Sequence, residues 1–167
     1  MHRAMAGKHE AHRRVVEKLE EQGAEIRRLC AGLEEDVIAK RPESGKWSVK
    51  EVLAHIARIQ EIFEGRLEAL LTQEKPPIVS YSPERDADFV AVAAKPSVEL
   101  LKLFADGRAR IVARLIALSP EDWHRPGTHP DYPTYDVHFC MEYMAHHEAH
   151  HIYQMFERRA AFAPVPH

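Results

Sequence analysis

The sequence predicts an all-α protein: a four-helix bundle with a long crossover connection between its second and third helices. Three observations predict it. Only 7 of 167 residues are glycine. Apolar residues recur three or four apart over four long segments, and no segment shows the strict alternation of a half-buried strand. Between the second and third segments lies a stretch, 73–96, that holds Pro76, Pro77, Pro83 and Pro96 and no sustained period.

The first helix is expected over 8–39, on the spacing of Val15, Val16, Leu19, Ile26, Leu29, Leu33 and Val37, with Gly23 tolerated inside it and Pro42 closing it. Glu43-Ser44-Gly45-Lys46 reads as a loop. The second helix opens with Ser48 and Glu51 as a capping box, and Trp47 and Val52 as its hydrophobic staple. It continues through Ile56, Ile59, Ile62, Phe63, Leu67, Leu70 and Leu71. In the connection, 83–94 is a candidate short helix, and a link of this length commonly borders a site. The third helix runs from Ser97, as N-cap, to Leu118. Ser119-Pro120-Glu121-Asp122 is a cap followed by one turn. The fourth helix runs from about Thr134 to Ala161.

Composition narrows the function. Lys+Arg 23 against Asp+Glu 26 gives a net charge of −3, so no basic field draws in nucleic acid. No stretch approaches ~18 apolar residues, which excludes a membrane helix. The polar start, Met1 to Arg14, has no apolar core of a signal peptide. Cys30 and Cys140 form no CxxC pair, so a reducing, cytoplasmic setting is expected, with one domain over 1–167.

Chemistry concentrates in the histidines, 12 in all. Ala145-His146-His147-Glu148-Ala149-His150-His151 carries two i,i+4 pairs, His147/His151 and His146/His150. Residues four apart lie about 40° apart around a helix and ~6 Å along it, so either pair can reach one metal ion. The apolar stripe of Phe139, Cys140, Tyr143, Met144, Ile152 and Met155 brackets His147 and His151 and points that pair inward. His55 lies on the apolar stripe of the second helix, where an ionisable ring needs a reason. Together His55, His147 and His151 make a three-histidine site with open positions, and three neutral nitrogens favour Zn²⁺ or Ni²⁺ over Mg²⁺ or Ca²⁺. Gln154 and Glu148 are the candidates to orient these imidazoles through their second nitrogens, with a surface role as the alternative for Glu148.

At these residues a family resemblance emerges. Trp47-Ser48-Val49-Lys50-Glu51-Val52-Leu53-Ala54-His55 resembles the W-S-x-x-E-x-L-x-H opening of the second helix in the DinB/YfiT-like superfamily. His147-Glu148-Ala149-His150-His151-x-x-Gln154 resembles that family's fourth-helix signature, and Gly127-x-His129-Pro130 is similar to the segment before it. The resemblance covers about 8–160. It implies a four-helix bundle, often dimeric, that binds a divalent metal through positions matching His55, His147 and His151. It also implies small-molecule chemistry, either metal-dependent hydrolysis or transfer and isomerisation using a low-molecular-weight thiol. Such a metal lowers the pKa of water or of a thiol, so one ligand set serves both. The alternative is a non-catalytic, stress-related bundle with a structural metal.

Other features read more simply. His147-Glu148-Ala149-His150-His151 also fits H-E-x-x-H, but Gln154 and Glu157 stand where a metzincin needs glycine and histidine. His9 and His12 are expected to be exposed, Cys140 to be an inert buried thiol, and Met141, Met144 and Met155 to fill the core.

Overall fold

A computed structural model describes residues 2–43 and 45–167. Met1 and Ser44, assigned above to the polar N-terminal stretch and to the first loop, lie outside the described residues. The helices are α1 (His2–Cys30), α2 (Glu35–Ile38), α3 (Val49–Thr72), α4 (Phe89–Ala93), α5 (Ser97–Ile116) and α6 (Val137–Ala160). Two short strands, β1 (Pro126–Gly127) and β2 (Tyr135–Asp136), pair antiparallel. Among the described residues no helix is long and apolar enough to cross a membrane.

The four long helices, α1, α3, α5 and α6, form the bundle. Around its axis α6 lies between α1 and α3, and α5 lies between them on the opposite side. Cross-helix bonds set the directions. Gln60 bonds the Phe104 carbonyl, Arg110 meets Glu64 and Arg114 meets Glu68, so α3 and α5 run parallel. His12 meets His138 and Gln22 bonds the Ala145 carbonyl, so α1 and α6 are parallel too. Parallel neighbours need a return path, and α5 with its 20 residues is ~30 Å long. Residues 73–96 supply that path. The other two connections cross the ends of the bundle diagonally.

Gly107 makes room for the Gln60 amide, whose Nε2 would stand 2.5 Å from a Cβ there.

Local signals explain most helix ends, with three corrections. At α3 the capping box is present: Glu51 N–H donates to Ser48 Oγ at 3.1 Å, and Ser48 N–H to Glu51 Oε1 at 3.1 Å. The first helix, however, stops at Cys30 and not near residue 39. Gly32, at φ 73°, takes the left-handed conformation that ends a helix, and Glu35–Ile38 is a separate turn that buries Ile38. Ser97 is not the cap of α5. Pro96 holds that position, and Ser97 directs its hydroxyl and its N–H (3.2 Å) to Glu35. The cap of α6 is Asp136, which accepts from Phe139 N–H at 2.8 Å, so the helix starts after Thr134.

The core has two apolar clusters. Val15, Leu19, Phe63, Leu67, Ile111, Met141 and Met144 belong to one; Ile26, Leu29, Val52, Leu53, Leu100, Phe104 and Met155 belong to the other. Along α3 the change of cluster falls between Ala57 and Ile59, and along α6 between Ala145 and Ile152. His147 and His151 lie in that seam on α6, and His55 lies about one turn before the change on α3.

Candidate metal centre

His55 on α3 and His147 and His151 on α6 converge where these antiparallel helices pack. His55 Nε2 lies 3.1 Å from His151 Nε2, which lies 3.3 Å from His147 Nε2. One ligand atom from each lies within 4.8 Å of the others. Nitrogens held ~2.0–2.1 Å from one tetrahedral ion stand about 3.3 Å apart, so the donor set fits a single ion. His55 and His151 are buried and His147 is half-buried.

The seam keeps these rings neutral, as metal ligation requires. Burial, reinforced by His151 and His147, pushes the pKa of His55 down to about 3. Burial and His151 push His147 down to about 4, and burial lowers His151. Gln154 Oε1 lies 2.8 Å from His151 Nδ1. With the carbonyl placed there, His151 carries its proton on Nδ1 and offers the Nε2 lone pair to the centre. His55 Nδ1 is buried with no partner among the described residues. Its ring is held by aromatic neighbours instead, Trp47 at 5.1 Å and Phe89 at 6.3 Å between centroids. Arg158 donates to the Trp47 carbonyl at 3.0 Å and ties the end of α6 to the start of α3.

Glu148 turns elsewhere. It is neither an orienting acceptor for a ligand imidazole nor a surface residue. Its carboxylate is buried and accepts two bonds from Arg108, one at 2.9 Å from Nη1 and a shorter one from Nη2. Burial pushes its pKa above the ordinary carboxylate range, while the guanidinium pulls against that. Arg108 also donates to Gln60 Oε1 at 2.8 Å and to the Leu19 carbonyl at 2.7 Å. The network locks α1, α3, α5 and α6 together just below the histidines. Arg108 is absent from the sequence reading, yet a charged residue four after Phe104 and three before Ile111, on the apolar stripe of α5, is a readable signal.

His146 and His150 of the second i,i+4 pair are exposed. Cys140 is buried, and burial pushes its thiol up to about 12. His12 is not on the surface: it stacks on Trp123 at 4.4 Å and places Nδ1 2.8 Å from His138 Nδ1. The face-to-face contact with the Trp123 ring accounts for its burial, while its Nε2 is buried without a partner among the described residues.

A cavity of about 510 Å³ opens over the three imidazoles, within the range of small-molecule sites. Trp47, Phe63, Tyr143 and the histidines form its floor. Ser80, Tyr81 and Pro83 of the crossover and His129, Asp131 and Tyr132 of the β1–β2 loop form its walls. The crossover is fixed by Arg58, one turn after His55, whose Nε donates to Asp86 at 2.7 Å. Tyr81 donates its hydroxyl to the same carboxylate at 2.8 Å.

A helical bundle of parallel and antiparallel pairs with a three-histidine cluster across two of its helices is the class defined so far. The sequence profile of the DinB superfamily matches residues 18–155, and the chain belongs to that superfamily. The uncharacterized protein YuaE of Bacillus subtilis (strain 168) is 25% identical over 144 residues, covering 75% of this chain and 85% of that protein. The solved structure of YfiT from Bacillus subtilis superposes with a TM-score of 0.76 over 91% of this chain and 89% of that one, at 22% identity. YfiT is described as a probable metal-dependent hydrolase with an unusual four-helix bundle topology. At that identity the likeness establishes the architecture.

Proposed function

We propose that His55, His147 and His151 hold one divalent metal ion and that the protein is a metal-dependent hydrolase of a small molecule. One observation carries the reading: three neutral imidazoles present Nε2 atoms 3.1 and 3.3 Å apart at the floor of an open cavity. The description of YfiT supports the reaction class. Three neutral nitrogen donors without a carboxylate favour zinc or nickel. When bound, such an ion supplies Lewis acidity, polarising a carbonyl or phosphoryl group and lowering the pKa of water.

The chain's own residues do the rest. Gln154 fixes the His151 tautomer. Trp47 and Phe89 hold the His55 ring, and the seam between the two cores keeps protons off the ligand nitrogens. Arg58 and Asp86 pin the crossover that narrows access to the cavity. Glu148, engaged with Arg108, is not free to act as a base. The same proposal covers a single functional domain over 1–167, a homodimer in solution and, from the free thiols of Cys30 and Cys140, a reducing cytoplasm.

The test is turnover of p-nitrophenyl esters by metal-free protein and by protein loaded with Zn²⁺ or Ni²⁺, with His55→Ala alongside. Metal-dependent turnover, lost in a folded His55→Ala protein, supports the reading. Equal turnover with and without metal overturns it. Turnover appearing only with an added low-molecular-weight thiol replaces hydrolysis by thiol-dependent transfer. Metal that raises stability with no turnover under either condition assigns the ion a structural role.

A further inference from the structure

The arginines of α3 and α5 divide into two kinds. Arg58, Arg108, Arg110 and Arg114 each pair with a carboxylate. Arg66 does not: among the described residues it has hydrogen bonds to neutral oxygens alone. Its Nη2 donates to the Val79 carbonyl at 2.7 Å and its Nη1 to the Tyr135 hydroxyl at 3.3 Å, while the guanidinium lies over the Phe63 ring at 4.7 Å. It is half-buried and lines the cavity that holds the three imidazoles.

A guanidinium carries five N–H donors, and two are engaged here, so the group is oriented without being satisfied. A half-buried cation without a counter-charge calls for an anion, and the planar fork suits a carboxylate. The remaining lining sets the rest of the ligand. Trp47, Tyr132 and Tyr143 line the cavity with aromatic rings, and Phe63, buried beneath Arg66, stacks with Tyr143 at 5.8 Å and 23°. Asp131, exposed at the mouth, is an acid among the lining residues. One guanidinium matches one negative charge, and Asp131 at the mouth disfavours a second. His129 is tied by its Nδ1, which accepts from the Asp131 N–H at 3.0 Å, so its free nitrogen is a donor facing outward from that bond.

We propose that Arg66 is the anchor for the free carboxylate of a small, flat, largely apolar molecule that carries this one carboxylate beside its scissile ester or amide bond, which defines the substrate class of this cavity. The inference rests on the proposed function only in making that acid a substrate; the anchoring itself needs no metal. The carboxylate engages the unused Arg66 N–H groups, and the apolar body lies along the aromatic faces toward the histidines.

Calorimetric titration of the full chain, metal-free and Zn²⁺-loaded, tests this with benzoate, benzamide and inorganic phosphate as probes. Benzoate is expected to bind both forms. Arg66→Gln is expected to weaken benzoate at least tenfold while zinc stoichiometry stays unchanged, and Arg66→Lys to weaken it less. In the metal-free protein benzamide and phosphate are expected to bind at least tenfold more weakly than benzoate. Arg66→Lys keeps the charge and decides the matter if Arg66→Gln does not fold. The proposal is overturned by undetectable benzoate binding to wild type, by unchanged affinity in the Arg66 variants, or by benzamide or phosphate matching benzoate in the metal-free protein. A metal-free protein that binds benzoate through Arg66 but takes up no zinc upholds the anchor and defeats the metal reading. Zinc uptake with Arg66-independent benzoate binding does the reverse.

Discussion

Replacing Glu148 by alanine separates a structural carboxylate from a catalytic one. Glu148 is 3% exposed and Arg108 5% exposed, and the carboxylate satisfies two of the guanidinium's donors. Glu148→Ala leaves Arg108 buried with Gln60 and the Leu19 carbonyl as its remaining acceptors. Breaking a buried pair from one side costs about 3–5 kcal/mol. For a domain of this size each kcal/mol moves Tm by about 2–4 °C, so a fall of roughly 6–20 °C is expected. Glu148→Gln, which keeps one acceptor, falls by less. The double variant Glu148→Leu with Arg108→Met regains much of the loss, because no charge is left unpaired. Thermal and urea unfolding followed by circular dichroism measure this, with zinc affinity measured on the folded protein. A Glu148→Ala protein of wild-type stability with crippled zinc binding or turnover would refute the structural assignment and restore Glu148 to the site.

Three further outcomes are expected. Ser48→Ala removes the acceptor of the Glu51 N–H and lowers stability by about 1 kcal/mol, read from the urea midpoint. Gln154→Ala frees the His151 Nδ1 and weakens zinc binding about 10–100-fold at nearly unchanged stability, read by competition with a chelating dye. Burial, His138 and His124 push His12 down to about 4 from an ordinary 6.5. The unfolded chain therefore takes up this proton first, so the contribution of His12 is complete above about pH 6.5 and lost as pH falls toward 4. Wild-type protein should lose more stability between those limits than His12→Gln, measured by urea unfolding at each pH.

Much of the fold was legible because its signals are local. The Ser48–Glu51 box, the three-to-four spacing of the apolar residues and the prolines of 73–96 each act within a few residues. The end of α1 was missed because Val37 continues the apolar period past Gly32, and period alone outweighed a glycine that adopts positive φ. The parallel pairing of α3 with α5 is a long-range property that no stripe reveals. At the site, the inward face of α6 was readable from the stripe that brackets His147 and His151. Glu148 was not, because its partner Arg108 lies 40 positions away on another helix. The crossover was expected to border a site, yet the residues that pin it there, Arg58, Tyr81 and Asp86, have no shared motif. Arg66 was invisible for a different reason. What distinguishes it is that it forms no ion pair among the described residues, and only assembled coordinates reveal that.

Anomalous diffraction at the zinc edge from crystals of the zinc-loaded protein tests the central claim most directly. A single dominant peak ~2.0–2.1 Å from Nε2 of His55, His147 and His151, absent from His55→Ala crystals, is the result this account predicts. A peak on other residues, such as the His12–His138 pair, or none between the three imidazoles at saturating zinc, would contradict it.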